Sequence, residues 1–379
     1  MIHSTNKIDS QEIVLYVLHM TQDWKKLERS ETPLTSTVSL DEVTQDLIRP
    51  YDYESDGTEQ FYPYLIPNDL PDDFNIGVIV GASGTGKSTL LKHFGEVSTN
   101  VWSTGSIASH FSSAVEANER FAAAGLMSVP EWVKPFYVLS NGQQFRANLA
   151  RSIRNGAVID EFTSVIDRNV AKAASTSMSR YVRKNNVKGI VLATVHRDIL
   201  EFLEPDWIID TDRGEWSNGR WLQRPELVID VYPAHNSIWK HFASYHYLSE
   251  KLNKASHNYV AVWEGQLVGF VSSMSYPSGT VKNAFREHRL VIHPDYQGFG
   301  FGPRLSEVVA KHYIDNGKRY FSKTSHPRLG GYRDQSDVWK PTSKNHMKRK
   351  DGVTMSQYTR WQINPDRWSF SHEYIGKLK

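Results

Sequence analysis

The chain of 379 residues contains no cysteine. This excludes disulfide bonds and thiolate metal sites, and it is typical of proteins kept in a reducing compartment. The sequence also lacks a run of about 18 apolar residues, the length of a membrane-spanning helix. Its first twenty residues, MIHSTNKIDSQEIVLYVLHM, lack the basic start and the unbroken apolar stretch of a secretory signal. We therefore expect a cytoplasmic protein without a membrane partner.

Two oppositely charged halves nearly cancel in the net charge of +2. Residues 1–230 contain 22 Lys and Arg against 31 Asp and Glu, whereas residues 231–379 contain 22 against 11. Such asymmetry indicates different partners for the two halves. Basic charge interleaved with aromatic residues is typical of nucleic-acid binding, and it is equally compatible with a solvated basic surface. We expect DNA contact by the basic half.

Apolar segments in the first 215 residues predict short buried strands at Val78–Val80, in GAVIDEF and in VKGIVLATVH. Helical patterns separate these strands, and this alternation is typical of a parallel sheet. The turn-rich segment 212–226 predicts the end of this unit. We therefore predict an α/β fold with two domains, residues 1–225 and residues 230–379.

A phosphate-binding loop is the clearest motif in the sequence. GASGTGKS, residues 81–88, fits G-x-x-x-x-G-K-[ST] between a predicted strand and a predicted helix. Its backbone N–H groups can converge on phosphate oxygens. Lys87 should reach the β- and γ-phosphates of ATP, and Ser88 should bind Mg²⁺. The predicted nucleotide contacts are Gly81, Ser83, Gly84, Gly86, Lys87, Ser88 and Thr89.

Polar side chains follow the next two predicted strands. Asp160 ends GAVID, where it can orient Mg²⁺, and Glu161 is placed to polarise an attacking water. His196 ends IVLATVH and can contact the γ-phosphate. A histidine satisfied within the core is the alternative for His196.

The order of these motifs resembles that of the ABC-class ATPases over residues 10–215. LSNGQ, residues 139–143, resembles the signature of that family, with Asn141 where glycine is commonest. SVID, residues 164–167, resembles its D-loop. The resemblance implies that Ser140, Gly142 and Gln143 bind the ATP of a second protomer, with Asp167 beside them. It therefore implies a head-to-tail homodimer that encloses two ATP molecules.

Two departures from the ABC pattern are visible. No glutamine lies between Thr89 and Gly142, so the family's Q-loop glutamine is missing or replaced. The insert between Ser88 and Ser140 is too short for a full helical subdomain or a coiled coil. We expect an ATP-switched clamp rather than a transporter subunit.

The basic half contains a second strand–loop–helix unit. RLVIHPDY predicts a strand, QGFGFG a glycine loop, and PRLSEVVAKHYIDNG an amphipathic helix. This unit resembles motif A of the GNAT acyltransferases. The resemblance implies that acetyl-CoA or a related acyl-CoA binds at Gln297, Gly298, Gly300 and Gly302. YVAVWEGQLVGFVSSMSY, two strands joined at EGQ, and the strand KRYFSKTS support a GNAT-like mixed α/β domain.

The acceptor site is less marked. His246 and Tyr247 on a predicted helix, Arg289 on the motif-A strand and Ser325 after the later strand resemble the Mom-like GNAT proteins of phages, which modify adenine in DNA. The resemblance implies that His246 and Tyr247 lie near the reacting groups and that Arg289 contacts the substrate. It also implies that Ser325 or Tyr332 donates or accepts a proton.

Each of these residues has a structural alternative. His246 and Tyr247 can cap a core helix, Tyr332 can simply pack, and Arg289 can pair with Glu287 or with a phosphate of CoA. The spacing of His241 and His246 is not that of a helical ligand pair, so we predict no metal among the C-terminal histidines.

Three hypotheses follow for the whole chain. The first is an ATP-hydrolysing clamp coupled to a transferase that modifies DNA bases, in a bacterial or phage-infected cell. The second is an ATP-regulated N-acetyltransferase acting on protein lysines or on a small amine. The third is a DNA-binding module with a degenerate acyltransferase fold.

Overall fold

The computed structural model describes residues 23–51, 53–246, 250–276, 281–348 and 368–376. They divide into two compact units. The first comprises the described residues up to 101, with 151–166 and 178–225. The second comprises 102–150, 167–177 and the described residues from 226 onward. The segments 102–150 and 167–177 thus group with the C-terminal residues, and the domain division into residues 1–225 and 230–379 stays a prediction.

The described strands of the first unit are β1 (Lys25–Lys26), β2 (Leu34–Thr37), β3 (Thr58–Phe61), β4 (Ile76–Val80), β5 (Val158–Ile159), β6 (Ile190–Thr194), β7 (Trp207–Asp210) and β8 (Glu215–Asn218). Those of the second unit are β9 (Asp230–Ala234), β10 (His257–Trp263), β11 (Gln266–Ser275), β12 (Ala284–Ile292), β13 (Arg319–Thr324), β14 (Trp339–Pro341), β15 (Met347–Lys348) and β16 (Trp368–Tyr374).

The described α-helices are, in chain order, α1 (Glu42–Ile48), α2 (Lys87–Leu91), α3 (Ala114–Ala123), α4 (Val129–Trp132), α5 (Asn141–Ser152), α6 (Arg168–Lys184), α7 (Leu200–Leu203), α8 (Phe301–Asp315) and α9 (Pro327–Asp334). Short 3-10 turns separate several of them. Within the described residues, none of these helices has the length and apolar character needed to cross a bilayer.

The sheet of the first unit has the strand order β1-β8-β7-β4-β6-β5. Strands β4, β5, β6 and β7 run parallel, and β4 and β6 are buried at every residue. This confirms the predicted parallel sheet, because continuous apolar runs mark strands covered on both faces. Strand β8 is antiparallel to β7. The turn-rich segment 212–226, predicted to end this unit, contains β8, which lies between β7 and β1, and the compact unit ends at Pro225.

The sheet of the second unit has the order β14-β16-β13-β12-β11-β10-β9, with β15 paired to β16. Its named pairs are antiparallel except β12 and β13, which run parallel and are connected through α8. The predicted hairpin is confirmed, with a turn at Glu264 and Gly265 between β10 and β11. The predicted strand–loop–helix unit is confirmed as β12, the loop 293–300 and α8. Both sheets support the predicted α/β fold class.

The alanine-rich segment 104–135 contains a 3-10 turn at Ile107–His110 and the short helices α3 and α4. One helical prediction needs correction. His246, expected on a helix, follows a 3-10 turn at Ala243–Tyr245 and has extended backbone angles. Tyr247 lies outside the described residues.

A buried ion pair and its hydrogen bonds connect four elements of the second unit. Arg333 on α9 donates to both carboxylate oxygens of Glu287 on β12, at 3.0 and 3.1 Å, and both side chains are almost fully buried. Ser306 on α8 donates to the same carboxylate at 2.6 Å, and Ser322 on β13 lies 3.3 Å from it. A buried carboxylate is costly unless it is paired and hydrogen-bonded, and here both conditions are met.

Arg333→Met should lower the free energy of unfolding by about 3–5 kcal/mol, because it leaves the Glu287 carboxylate buried without its cation. Urea unfolding followed by tryptophan fluorescence measures this change. Arg319→Met is the matched control, since Arg319 forms an exposed pair with Glu373 at 2.6 Å and should cost about 1 kcal/mol or less. Equal losses for both variants would contradict the role given to the buried pair.

Candidate functional site

The phosphate loop lies between β4 and α2 in the first unit. Gly86 is the N-cap of α2 with φ +92°, a left-handed conformation that a side chain would strain. A Cβ atom at Gly86 would also lie 2.6 Å from the ring of Phe61. Gly84 has φ +82° and open space around it. The loop therefore exposes its backbone to a ligand, as the motif predicts.

The segment that follows β7 is hydrogen-bonded to the phosphate loop. Asp212 accepts a hydrogen bond from the backbone N–H of Ala82 at 2.8 Å. Arg197 donates to Asp212 at 2.7 Å and to the buried Asp210 at 3.0 Å. Gly81 packs so closely on this segment that a Cβ atom would lie 2.1 Å from Oγ1 of Thr211. Gly81 therefore has a packing role in the described structure.

Lys87 points back across the loop. Its Nζ donates to the carbonyl of Ala82 at 2.5 Å. Partial burial lowers the pKa of Lys87, while the carboxylates of Asp212, Asp160 and Glu161 act in the opposite direction. In the described structure, the Lys87 ammonium group is bonded to the Ala82 carbonyl. A phosphate group can replace that carbonyl as its partner.

Asp160 and Glu161 follow β5 in a strained turn. Glu161 has φ +49° and Thr163 has φ +70°, values that are uncommon for residues with side chains and that cluster at functional sites. The Asp160 carboxylate accepts from the backbone N–H of Glu161 at 2.8 Å. Thr163 Oγ1 lies 3.1 Å from Nδ1 of His196, so the histidine is tied to this same turn.

A cavity of about 470 Å³ brings most of the predicted nucleotide residues together. Its lining includes phosphate-loop residues, both carboxylates of the turn after β5, and one aromatic side chain. The predicted members are Ser83, Gly84, Gly86, Lys87, Ser88, Thr89, Asp160 and Glu161. Gly81 and His196 are not among the lining residues. Exposed amides, a cation and a pair of carboxylates in one cavity can hold a phosphate chain with a divalent cation.

Phe61 also lines this cavity and was not predicted from the sequence. It ends β3, about twenty positions before the phosphate loop, and its ring packs on Gly86. An aromatic ring beside a phosphate site can stack on a base. No local pattern distinguishes Phe61 from the other aromatic residues of TEQFYPY, so the sequence gives no signal for this role.

The predicted signature residues lie in the second unit, at the start of α5. Ser140 is exposed, and its Oγ accepts from the backbone N–H of Gln143 at 3.4 Å. In return, Oε1 of Gln143 accepts from the backbone N–H of Ser140 at 3.0 Å. This reciprocal pair is a capping box. Nε2 of Gln143 also donates to the buried Glu131 at 3.3 Å, so Gln143 is a positioning residue in the described structure.

Gly142 lies in the first turn of α5, and Asp167 immediately precedes α6. A Cβ atom at Gly142 would lie 3.6 Å from Val170, an ordinary van der Waals contact. Asp167 is exposed and accepts from the backbone N–H of Asn169 at 2.8 Å, near the start of α6. The N-terminal ends of α5 and α6, where the predicted ABC motifs lie, are thus each capped by a side chain.

A second candidate site lies where β12 and β13 separate. Their paired register covers Ala284–Arg286 with Arg319–Phe321 and ends there. On the other side of β12, Ser273 is opposite Glu287 and Ser272 is opposite Arg289, so His288 is the extra residue of a β-bulge. Bulges next to a strand separation redirect side chains and are over-represented at active sites.

The bulge residue His288 has a strongly lowered pKa. Burial and the nearby Arg289 and Arg286 lower its pKa to about 4, so it is neutral at pH 7. Its Nε2 is buried and has no hydrogen-bond partner among the described residues. The sequence did not identify His288, because only the register with β11 reveals the bulge.

Arg289 donates to the backbone carbonyls of Lys251 at 3.0 Å and of His288 at 3.1 Å. Glu287 is paired with Arg333, and the alternative pairings of Arg289, with Glu287 or with a phosphate of CoA, stay predictions. The substrate contact predicted for Arg289 stays a prediction.

The glycine loop before α8 repeats the geometry of the phosphate loop. Gly300 is the N-cap of α8 with φ +90°, it is exposed, and the exposed Arg304 follows in the first turn. Gly302 is part of that turn. Gln297 and Gly298 lie deeper, in contact with other segments of the second unit. Exposed amides and an arginine at a helix N-terminus suit a pyrophosphate.

The remaining acceptor-site predictions have separate surroundings. The His246 ring packs edge-on against Trp239, with centroids 5.9 Å apart. Ser325 is half-buried after the end of β13. The Tyr332 hydroxyl donates to the buried Glu307 at 2.6 Å, and burial together with this carboxylate raises its pKa to about 12. Among the described residues, no cluster of three His, Asp or Glu side chains could hold a metal ion.

Comparison with known proteins gives a family for one part of the chain. Residues 221–330 match the model of the acetyltransferase (GNAT) family. No curated protein matches the chain. The match places a GNAT acetyltransferase domain in the C-terminal part, where the sequence predicted one.

Solved structures show weaker likenesses. An IAA acetyltransferase from Bacillus cereus is 14% identical with a TM-score of 0.29, over 39% of this chain and 99% of its own. A Bacillus subtilis acetyltransferase solved with CoA is 13% identical with a TM-score of 0.28, over 40% of this chain and 100% of its own. A dimeric ATP-binding cassette with ADP and Pi is 14% identical with a TM-score of 0.32, over 48% of this chain and 93% of its own. TM-scores this low establish no role for either half of the chain. The evidence for a nucleotide site is the cavity lined by the phosphate loop, Asp160 and Glu161.

Proposed function

We propose that the chain is an ATP-binding and ATP-hydrolysing ABC-class clamp coupled to a GNAT-type acyltransferase that modifies adenine bases in DNA. The observation that supports the ATP half is the single cavity lined by Lys87, Ser88, Asp160 and Glu161. The observation that supports the transferase half is the GNAT family match over residues 221–330.

In the ATP half, the amides of residues 83–88 bind the phosphate oxygens and Lys87 exchanges its contact with the Ala82 carbonyl for a phosphate. Ser88 and Asp160 would hold Mg²⁺, which neutralises the charge on the phosphates when it is bound. Phe61 stacks on the base. Glu161 orients and deprotonates the attacking water, because it lies in the cavity beside Asp160.

In the clamp, Ser140 and the first amides of α5 contact the ATP bound by a second protomer. Ser140 is exposed and already oriented by the capping box with Gln143, which supports this role. A phosphate at this helix N-terminus is stabilised by the unpaired N–H groups and by the helix dipole. The proposed assembly is a homodimer.

In the transferase half, the exposed amides from Gly300 onward and Arg304 hold the pyrophosphate of an acyl-CoA. The acceptor amine nitrogen forms a bond to the thioester carbonyl carbon, the carbon–sulfur bond breaks, and CoA leaves as a thiolate. His288 at the bulge takes the proton from the amine. Tyr332 or Ser325 supplies a proton to the thiolate.

The excess of Lys and Arg in residues 231–379 supports DNA as the source of the acceptor. Phosphate contacts give affinity without sequence choice, so the choice of base must come from the transferase pocket. An adenine in a duplex must also leave the stack, which costs a few kcal/mol. ATP-driven closure of the clamp can supply part of that distortion.

Glu161→Gln should slow ATP hydrolysis by about 100-fold or more while ATP binding is kept, because the amide cannot accept the proton of water. Phosphate release measures hydrolysis, and size-exclusion chromatography with ATP should show a stable dimer. Lys87→Ala is the control that loses ATP binding itself. Normal hydrolysis by Glu161→Gln would remove Glu161 from the proposed role.

Ser140→Arg should abolish the ATP-dependent dimer, because it places a bulky cation at the shared phosphate site. Ser103→Arg, another exposed serine of the second unit, is the control that should dimerise normally. Sedimentation of the hydrolysis-deficient protein with ATP distinguishes monomer from dimer. A dimer that persists in the Ser140→Arg variant would mean that LSNGQ is an ordinary helix cap.

DNA from cells that express the chain should contain an adenine nucleoside of increased mass, detected by liquid chromatography and mass spectrometry. His288→Ala should remove at least about 99% of that signal, the effect of losing a general base. Acetylated lysine or small amines without altered nucleosides would favour an ordinary N-acetyltransferase. Binding to DNA without any acyl-CoA turnover would favour a degenerate transferase fold.

A further inference from the structure

A buried arginine joins the helix capped by Ser140 to the loop that precedes α8. Arg146, on α5, is 1% exposed. Its guanidinium donates to the carbonyls of Gly125 at 3.2 Å and of Asp295 at 3.1 Å, and also to that of Pro294. Burial lowers its pKa to about 10, so it stays charged at neutral pH. A buried cation depends on its hydrogen-bond acceptors, so α5 and residues 294–295 are fixed to each other.

Gln297 makes a second connection from the same loop. Its Oε1 accepts from the backbone N–H of Met127 at 3.0 Å, and its Nε2 donates to the carbonyl of Ile292 at 3.0 Å. The side chain therefore bridges the end of β12 and the segment that leads into α4. Both of its polar atoms are used within the protein, so in this structure Gln297 positions the loop rather than facing a ligand.

Close backbone packing completes the connection. A Cβ atom at Gly298 would lie 2.6 Å from the carbonyl oxygen of Ala173 on α6. The Tyr296 side chain is hydrogen-bonded to Asn169, two residues after Asp167. The loop 294–298 is thus in contact with α5 and α6, and the predicted signature and D-loop lie at the N-terminal ends of these two helices.

We propose that Arg146 and Gln297 are positioning residues that link ATP binding at Ser140 to acyl-CoA binding at the loop 297–302. This inference rests on the proposed function of both sites. An ATP held by Ser140 orders α5, and α5 orders the loop through Arg146. The loop is then ordered before acyl-CoA binds, so each ligand favours the other, and the linkage is reciprocal.

The test is the affinity of the full chain for CoA, measured by isothermal titration calorimetry with and without a non-hydrolysable ATP analogue and Mg²⁺. CoA should bind at least about fivefold tighter with the analogue, and the analogue should gain the same factor from CoA. Equal affinities, or weaker binding with the analogue, would overturn the linkage while leaving the proposed function intact. Failure to bind CoA at all would overturn both.

Arg146→Met should reduce the affinity ratio to less than about twofold, because the helix and the loop lose their shared hydrogen bonds. Arg151→Met is the matched control on the same helix, since Arg151 donates instead to the carbonyl of Val101 at 2.7 Å. The control should keep the full ratio. A preserved ratio in Arg146→Met would overturn the role of Arg146.

Wild-type protein gives an independent test if Arg146→Met does not fold. Hydrogen exchange of the amides 295–302 should slow by about threefold or more when the ATP analogue binds without CoA, because the loop opens less often. The Lys87→Ala variant should show no such change. Unchanged exchange in the wild-type protein would overturn the linkage.

Discussion

Both candidate sites depend on one constraint, a glycine in left-handed conformation as the N-cap of the helix that follows a strand. Gly86 caps α2 with φ +92° and Gly300 caps α8 with φ +90°. Each exposes the first N–H groups of its helix because no side chain covers them. The chain thus exposes two helix N-termini by the same means. What differs is the surrounding chemistry, carboxylates at the first and a strand bulge with a neutral histidine at the second.

Features of local origin could be predicted from the sequence. A few neighbouring residues are enough to predict each of these features: the strands β4, β6 and β12, the phosphate loop, and the hairpin at Glu264. Features that depend on distant pairs could not. Asp212 supports Ala82 from 130 positions away, and Arg333 neutralises Glu287 across 46 positions. No spacing rule connects such residues, and only the fold brings them together.

The short insert between the phosphate loop and the signature has a structural counterpart. Residues 102–150 contain α3, α4 and most of α5, and they belong to the same compact unit as the GNAT domain. In that unit, carbonyls of the loop 294–295 accept hydrogen bonds from Arg146. The short insert therefore accompanies a helical segment whose Arg146 contacts the loop before α8.

The second unit is built from segments that are far apart in the chain, and this imposes an order on its folding. Arg146 leaves the ribosome 148 residues before Pro294, which at 5–20 residues per second is roughly 7–30 s earlier. During that interval the guanidinium lacks two of its three carbonyl acceptors and stays hydrated. Helix α5 can complete its hydrogen bonds to residues 294–295 only after these residues have been synthesised, so this part of its packing forms late.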